Sequence, residues 1–232
     1  MVIFNWMNKM KSLKIVALVP MRHYSVRVPG KNYRPLAGKP LFHYIIEVLL
    51  ACPEISQVVV DTDSPVVMDG MHQAFPQVKL VERPEELRAD TVPMNEILLH
   101  DTSLFPADLY LQTHSTNPML RSSTVSRAIN VLMGQYPAYD SLFSVTRLQT
   151  RLWDGLGRAI NHNPAVLLRT QDLPPVYEEN SCIYLFSRQT LEARRNRLGK
   201  RPYLFEIDRS EALDIDEELD FTIAEIIMGS RA

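Results

Sequence analysis

Between positions 22 and 39 the chain carries five cations, Arg22, Arg27, Lys31, Arg34 and Lys39, and no acidic residue until Glu47. Such a cluster, in a chain whose formal net charge is −2, calls for an anionic partner. A phosphate chain meets that demand, because arginine offers a forked donor and lysine a mobile point charge. Gly30 and Gly38 allow close backbone approach to an anion, and Pro29 stiffens the turn. The loop is not a Walker A motif, since Gly38-Lys39 runs into Pro40, and no GxGxxG occurs. A solvated basic loop is the bland alternative.

A second constellation lies near the other end, at Leu213-Asp214-Ile215-Asp216-Glu217-Glu218. Read as a strand, it puts Asp214 and Asp216 on one face, so that both carboxylates reach one point. Paired hard oxygens beside phosphates suit Mg²⁺, which takes one or two protein carboxylates and keeps several waters. Asp216 is also placed to cap a final helix, with Glu217 and Glu218 favoured by its dipole. Capping would leave Asp214 unexplained.

The elements that must position these groups read as alternating strands and helices. Apolar β-branched runs predict strands at 14–19, 58–60, 78–81, 108–112, 141–146 and 183–186. Amphipathic patterns predict helices at 40–50, 64–74, 93–101, 122–133, 188–197 and 217–228. Nearly continuous apolar strands between amphipathic helices indicate an α/β protein with a mostly parallel central sheet flanked by helices. Ligands of such sheets bind at the carboxyl ends of the strands, which is where the basic loop falls. From 147 to 183 the pattern breaks, with a turn at Asp154-Gly155-Leu156-Gly157 and prolines at 164, 174 and 175. This stretch reads as an insertion that covers the site or touches a second subunit.

At 232 residues, with 46% hydrophobic and 22% charged, the chain forms one domain over 13–232, preceded by an N-terminal arm over 1–12. Near-neutral charge argues against nucleic-acid or anionic-membrane binding through bulk charge. No apolar run approaches the roughly 18 residues of a membrane span. The opening Met1-Val2-Ile3-Phe4 precedes its lysines, unlike a secretory signal, so a soluble cytoplasmic protein is expected. Cys52 and Cys182 have apolar neighbours and no CxxC spacing, and read as buried hydrophobes. His43, His72, His100 and His162 show no ligand spacing.

The run Arg22-x-x-Ser25-x-x-Val28-Pro29-Gly30-Lys31-Asn32, followed by Pro35-Leu36-Ala37-Gly38-Lys39-Pro40-Leu41, resembles the signature of the acylneuraminate cytidylyltransferase family, which includes the CMP-sialic acid synthetases. The likeness extends from about Leu13 to the end. It implies a Rossmann-like nucleotidyltransferase fold in which Arg22 and Lys31 hold the CTP triphosphate, Asn32 contacts the nucleotide and Ser25 lines the loop. Val26 stands where the family carries a lysine, and Arg27 offers a charge from the next position. Arg83-Pro84-x-x-Leu87-x-Ala89-Asp90-Thr91 resembles the family's RPxxLAxDxA, which lies against cytosine and ribose; without the resemblance, Thr91 reads as a helix cap. Asp61-Thr62-Asp63 resembles its STD segment and reads as a cap for the next helix.

On the acceptor side the resemblance implies His114 in place of a sugar-facing glutamine, Arg169 as a basic contact with Arg151 as a second, and Asn180 and Tyr184 on one pocket wall. Glu178 and Glu179 stand where sialic acid synthetases carry a further arginine. Asp214 and Asp216 match the metal-binding SIDID. The resemblance therefore implies a Mg²⁺-dependent homodimeric enzyme, with Arg22, Arg27 and Lys31 as its catalytic cations. The hydroxyl of an acidic sugar, of the 2-keto sugar acid type, attacks the α-phosphate of CTP and expels pyrophosphate. Two alternatives stay open: CMP transfer to a phosphonate or other non-sugar acid, and a nucleotide-binding subunit without catalysis.

Overall fold

A computed structural model describes residues 13–230, so the expected arm at 1–12 lies outside the described residues. The first half runs β1 (Ile15–Met21), a hairpin of β2 (Pro35–Leu36) and β3 (Lys39–Pro40), α1 (Leu41–Leu50), β4 (Gln57–Thr62), α2 (Pro65–Ala74) and β5 (Lys79–Glu82). Then follow α3 (Met94–Leu104), β6 (Leu109–Gln112), α4 (Ser122–Gln135) and β7 (Ser141–Leu148). The last third contains β8 (Val176–Phe186), α5 (Arg188–Arg194), β9 (Pro202–Glu206) and α6 (Glu218–Gly229). Apart from the hairpin, the strands form one seven-stranded sheet in the order β5-β4-β1-β6-β8-β7-β9. Only β8 runs against its neighbours; the other pairings are parallel.

All seven residues of β1 are buried, because helices cover both faces of the sheet. Ile15, Ala17 and Val19 share a core with Ile45 and Ile46 of α1 and Val125 of α4. Val16 and Leu18 face the opposite way, toward Leu98 of α3 and Leu191 of α5. This two-sided demand is why the strand reads as an unbroken apolar run. Strand succession leaves β1 toward β4 on one side and borders β6 on the other, opening a crevice at their carboxyl ends.

A third, smaller cluster positions the site. Val28 of the basic loop, Leu36 of the hairpin and Ile215 of the acidic segment pack with Phe221 and Ala224 of α6. Gly30 adopts φ 66, and a Cβ there would come within 2.8 Å of the Tyr33 ring, so the turn admits little but glycine. Ala37 and Gly38, both at positive φ, close the β2–β3 hairpin; Gly38 serves that turn rather than anion approach. Glu211 is buried and accepts from the Arg121 backbone N–H at 2.9 Å and the Thr124 hydroxyl at 3.0 Å, pinning the acidic segment to the N-terminus of α4.

Several sequence expectations need correction. Residues 212–216 form no strand; their apolar–acidic alternation mimics one, but Ile215 makes a backbone bond to Thr116 without a ladder. Asp216 does not cap α6, since Glu217 and Asp220 form the capping box. Ser64 rather than the 61–63 segment caps α2, and α3 begins after Pro93 without using Thr91. β8 begins at Val176, not Ile183, because its first residues, Val176 to Glu179, pair with Val145 to Leu148 at the end of β7. β9, an edge strand opening with a proline, was not anticipated. The turn at 154–157 is present, closed by a Trp153–Ala159 bridge. Both cysteines are free and buried.

Replacing Glu211 with Ala should lower the urea-unfolding free energy by about 1–3 kcal/mol, by leaving two α4 donors unsatisfied. Glu211→Gln, which keeps an acceptor, should lose less.

Candidate active site

A cleft of about 540 Å³ opens at the carboxyl ends of β1 and β6. The loop after β1 brings Arg22, Ser25, Arg27, Lys31 and Asn32 to it, and the segment after β5 brings Arg83, Ala89 and Asp90. His114 arrives from the β6 loop, with Asp214 and Asp216 from the segment before α6. Thr91, Arg169, Asn180 and Tyr184 do not line it.

None of the five clustered cations is free, for each has an acidic partner from a more distant segment. Arg22 pairs with Asp90, and Arg27 Nη2 lies 2.8 Å from Asp216 Oδ1. Lys31 Nζ donates to the Ile215 carbonyl at 2.6 Å and lies 3.5 Å from Asp216. Arg34 and Lys39 turn away to Glu218 and Glu47 and do not line the cleft. Asn32 ties the loop down: its amide donates to the Arg22 carbonyl at 2.7 Å and its oxygen accepts from Ser115. Ser25 Oγ accepts from the Val28 N–H at 3.3 Å, closing the same turn.

Among the described residues Asp61, Asp101 and Asp214 each keep a buried carboxylate oxygen without a hydrogen-bond partner, and of the three Asp214 alone lines the cleft. Its Oδ1 is buried with no hydrogen-bond partner, and burial above all raises its pKa, with Asp216 adding to the effect. A carboxylate in that position is costly unless a cation neutralises it.

Arg83 is buried and held by Asp61, which is fully enclosed; Asp101 and His100 of α3 lie beside that carboxylate. Two buried carboxyl groups share one guanidinium. Burial raises the Asp61 pKa and the Arg83 charge opposes that rise, while burial and the Asp61 charge push Asp101 up to about 8. The buried pair aims Arg83 into the cleft, and removing either partner of such a pair costs about 3–5 kcal/mol.

At the β6–β8 side, Gln112 donates to the Thr113 carbonyl at 3.0 Å and to His114 Nε2 at 3.1 Å. Burial, then Arg197 and Lys31, hold the His114 pKa down to about 4, so its ring is neutral at pH 7. Asn180 is buried between Ser144 and Thr146, bracing β8 against β7. Tyr184 lies below the cleft, its hydroxyl donating to Glu179. Arg169 pairs with Asp172 at 2.7 Å, and Arg151 donates to the Leu168 carbonyl, both in the segment between β7 and β8. Arg88, Ser181 and Arg197 line the cleft without having been anticipated. Arg197 belongs to a basic run that includes Arg194, Arg195, Lys200 and Arg201, and nothing in the spacing singles it out.

An open, mostly parallel sheet with a basic loop after its first strand, facing acidic groups across a crevice, is the frame of a nucleotidyltransferase. A family model described as Cytidylyltransferase matches residues 16–227, and the chain belongs to that family. It is 26% identical to N-acylneuraminate cytidylyltransferase A of Danio rerio, over 94% of this chain and 51% of that protein. It is 28% identical to CMP-N,N'-diacetyllegionaminic acid synthase of Legionella pneumophila, over 93% of this chain and 97% of that protein. The chain thus spans about half the length of the first relative and nearly all of the second. A solved CMP:2-keto-3-deoxy-manno-octonic acid synthetase, complexed with CTP, shares the fold at a TM-score of 0.73 and 18% identity, over 94% of this chain and all of that one. No helix among the described residues is long and apolar enough to cross a membrane.

The raised Asp101 pKa has a signed consequence. Its contribution to stability is complete below the unfolded value of 3.8 and is lost as pH rises toward about 8. Wild type should therefore lose unfolding free energy relative to Asp101→Asn between pH 5 and 8, by at most about 1.4 kcal/mol per pH unit. Parallel urea midpoints for the two proteins across that range would refute the assignment.

Proposed function

We propose that the protein transfers the cytidylyl group of CTP to an acidic sugar and releases pyrophosphate. The observation carrying this reading is the cleft itself, in which Arg22, Arg27 and Lys31 line one site with Asp214, whose carboxylate keeps one buried oxygen without a hydrogen-bond partner. The named activities of the relatives, on N-acylneuraminate and on diacetyllegionaminic acid, support the acceptor class.

The three cations would bind the triphosphate by exchanging acidic partners for phosphate oxygens. The Arg22–Asp90 and Arg27–Asp216 pairs are half-exposed and each worth about 0–1 kcal/mol, so that exchange is inexpensive. With the acceptor hydroxyl positioned in line with the α-phosphate, its oxygen bonds to phosphorus as the P–O bond to the leaving pyrophosphate breaks, and the hydroxyl proton passes to solvent. Arg22, Arg27 and Lys31 stabilise the charge that develops on the leaving group, so positioning and electrostatics supply most of the rate.

Asp214 and Asp216 fit a Mg²⁺ ion: hard oxygens, one of them buried and unpartnered, beside the phosphate-binding cations. When bound, the ion would neutralise phosphate charge as a Lewis acid. We also place the working unit as a homodimer in the cytoplasm. Leu156 and Leu167 of the segment between β7 and β8 are largely exposed, as a subunit contact would require.

Thermal stabilisation should be selective for CTP over ATP, GTP and UTP, reaching about 2.7 kcal/mol at 100 times the dissociation constant. Preference for another nucleotide would overturn the cytidylyl reading. Lys31→Ala should lower pyrophosphate release with N-acylneuraminate about 10²–10³-fold while the protein stays folded. In Asp214→Asn the extra stabilisation that Mg²⁺ gives the CTP complex should vanish; its persistence would remove Asp214 from the metal site.

A further inference from the structure

Six cationic side chains line the cleft, and five of them are spoken for by carboxylates. Arg22 pairs with Asp90, Arg27 and Lys31 with Asp216, Arg83 with Asp61 and Arg88 with Glu82. Arg197 alone among these six makes no salt bridge within the described residues. Its Nη1 donates to the Gln112 side-chain oxygen, and its guanidinium lies 3.5 Å from the centre of the Tyr184 ring. The nearby Glu179 carboxylate is engaged by the Tyr184 hydroxyl. A partly buried guanidinium stacked on one face, with most of its donors uncommitted, is a receptor for a planar anion.

Its placement is built, not incidental. α5 ends at Arg194, and Arg195 takes φ 50, a left-handed turn that a non-glycine residue adopts only when held. Two contacts hold it: the Arg195 guanidinium lies 2.5 Å from Glu96, and its carbonyl accepts from Asn95 at 3.0 Å, both residues being on α3. Asn196 Oδ1 then accepts from the Leu198 N–H at 2.9 Å, closing a second turn. Between those turns the side chain of Arg197 points into the cleft.

The topology separates this cation from the phosphate-binding ones. Arg22, Arg27 and Lys31 follow β1, whereas Arg197 rests on Tyr184 of β8, with β6 between the two strands. His114 is neutral at pH 7 and cannot supply the charge on that side. Ser181, in left-handed backbone at φ 59, brings a hydroxyl to the same wall, 3.2 Å from that of Tyr184.

We infer that Arg197 is the specificity-determining receptor for the acceptor's carboxylate, binding it bidentately at the β8 end of the cleft. This rests on the proposed transfer to an acidic sugar. It moves acceptor charge recognition from Arg169, which lies outside the cleft in this chain, to a side chain in a basic run that the sequence does not mark.

The test is a two-by-two cycle of protein and acceptor, read by pyrophosphate release at saturating CTP and Mg²⁺. Wild type, Arg197→Met and Arg197→Lys are each assayed with N-acylneuraminate, diacetyllegionaminic acid and 2-keto-3-deoxy-manno-octonic acid, and with their methyl esters. For the acid that wild type uses, Arg197→Met should raise the acceptor KM about 100-fold or more, and esterification should do the same to wild type. The two changes together should cost little more than either alone, because they remove one interaction. Arg197→Lys should recover part of the loss, with the KM for CTP unmoved in both variants. A purely structural role would shift the CTP-induced stabilisation as well, and that outcome overturns the assignment. An acceptor KM within threefold of wild type, or additive effects of mutation and esterification, also overturns it while leaving the transferase reading intact. Should wild type use none of the acids, the acceptor class itself fails and this inference with it. The ester arm on wild type needs no variant to fold.

Discussion

The site depends on the clamp between two loops that lie almost two hundred residues apart in the chain. Lys31 donates to the Ile215 carbonyl, Arg27 and Lys31 both meet Asp216, and Val28 and Ile215 bury into one apolar cluster with α6. The apolar contact gives the clamp its strength, since partly exposed ion pairs contribute little. The polar contacts set its register, placing three cations opposite two carboxylates. Without the clamp, the basic loop would be a charged ribbon with no fixed position relative to Asp214.

Everything else in the fold serves to present those loops at the same height. Burial of β1 on both faces fixes where the basic loop leaves the sheet, and Glu211 fixes where the acidic segment crosses α4. Asp61 fixes Arg83 from below. Glu211 and Asp61 thus each fix a neighbouring segment through specific buried polar contacts, and the second of them directs a cleft-lining side chain. Arg22 and Arg27 on the phosphate side are held by half-exposed acids, whereas the β6–β8 wall rests on buried Gln112, Asn180 and Tyr184. A site that must exchange partners on one side and discriminate on the other is suited by that contrast.

Legibility followed the same division. Arg22, Arg27, Lys31, Asp214 and Asp216 could be picked out because they crowd together in short segments with little local charge balance. Arg34 and Lys39 belonged to the same crowd, yet the β2–β3 hairpin carries them away to Glu218 and Glu47. Asn180 and Tyr184 sit one layer below the cleft, because the bulge in the β7–β8 pairing decides which β8 residues face it. Arg197 was illegible, since its direction depends on a left-handed turn secured from another helix. The hydrophobic pattern gave the central-sheet strands of the first two-thirds closely, missed the short β2–β3 hairpin, and failed at the edge strand β9 and at 212–216, where short alternation carries no information about hydrogen-bond partners.

By itself, then, the order of residues determined the α/β class, the parallel core and the chemical character of both loops, all of which rest on local spacing and on which residues avoid water. Tertiary structure alone decided which cations share the cleft, which carboxylate brings a buried, unpartnered oxygen to it and which arginine faces β8. Those outcomes arise from contacts between segments tens to hundreds of residues apart, and a side chain's charge acts only along the direction in which its neighbours hold it.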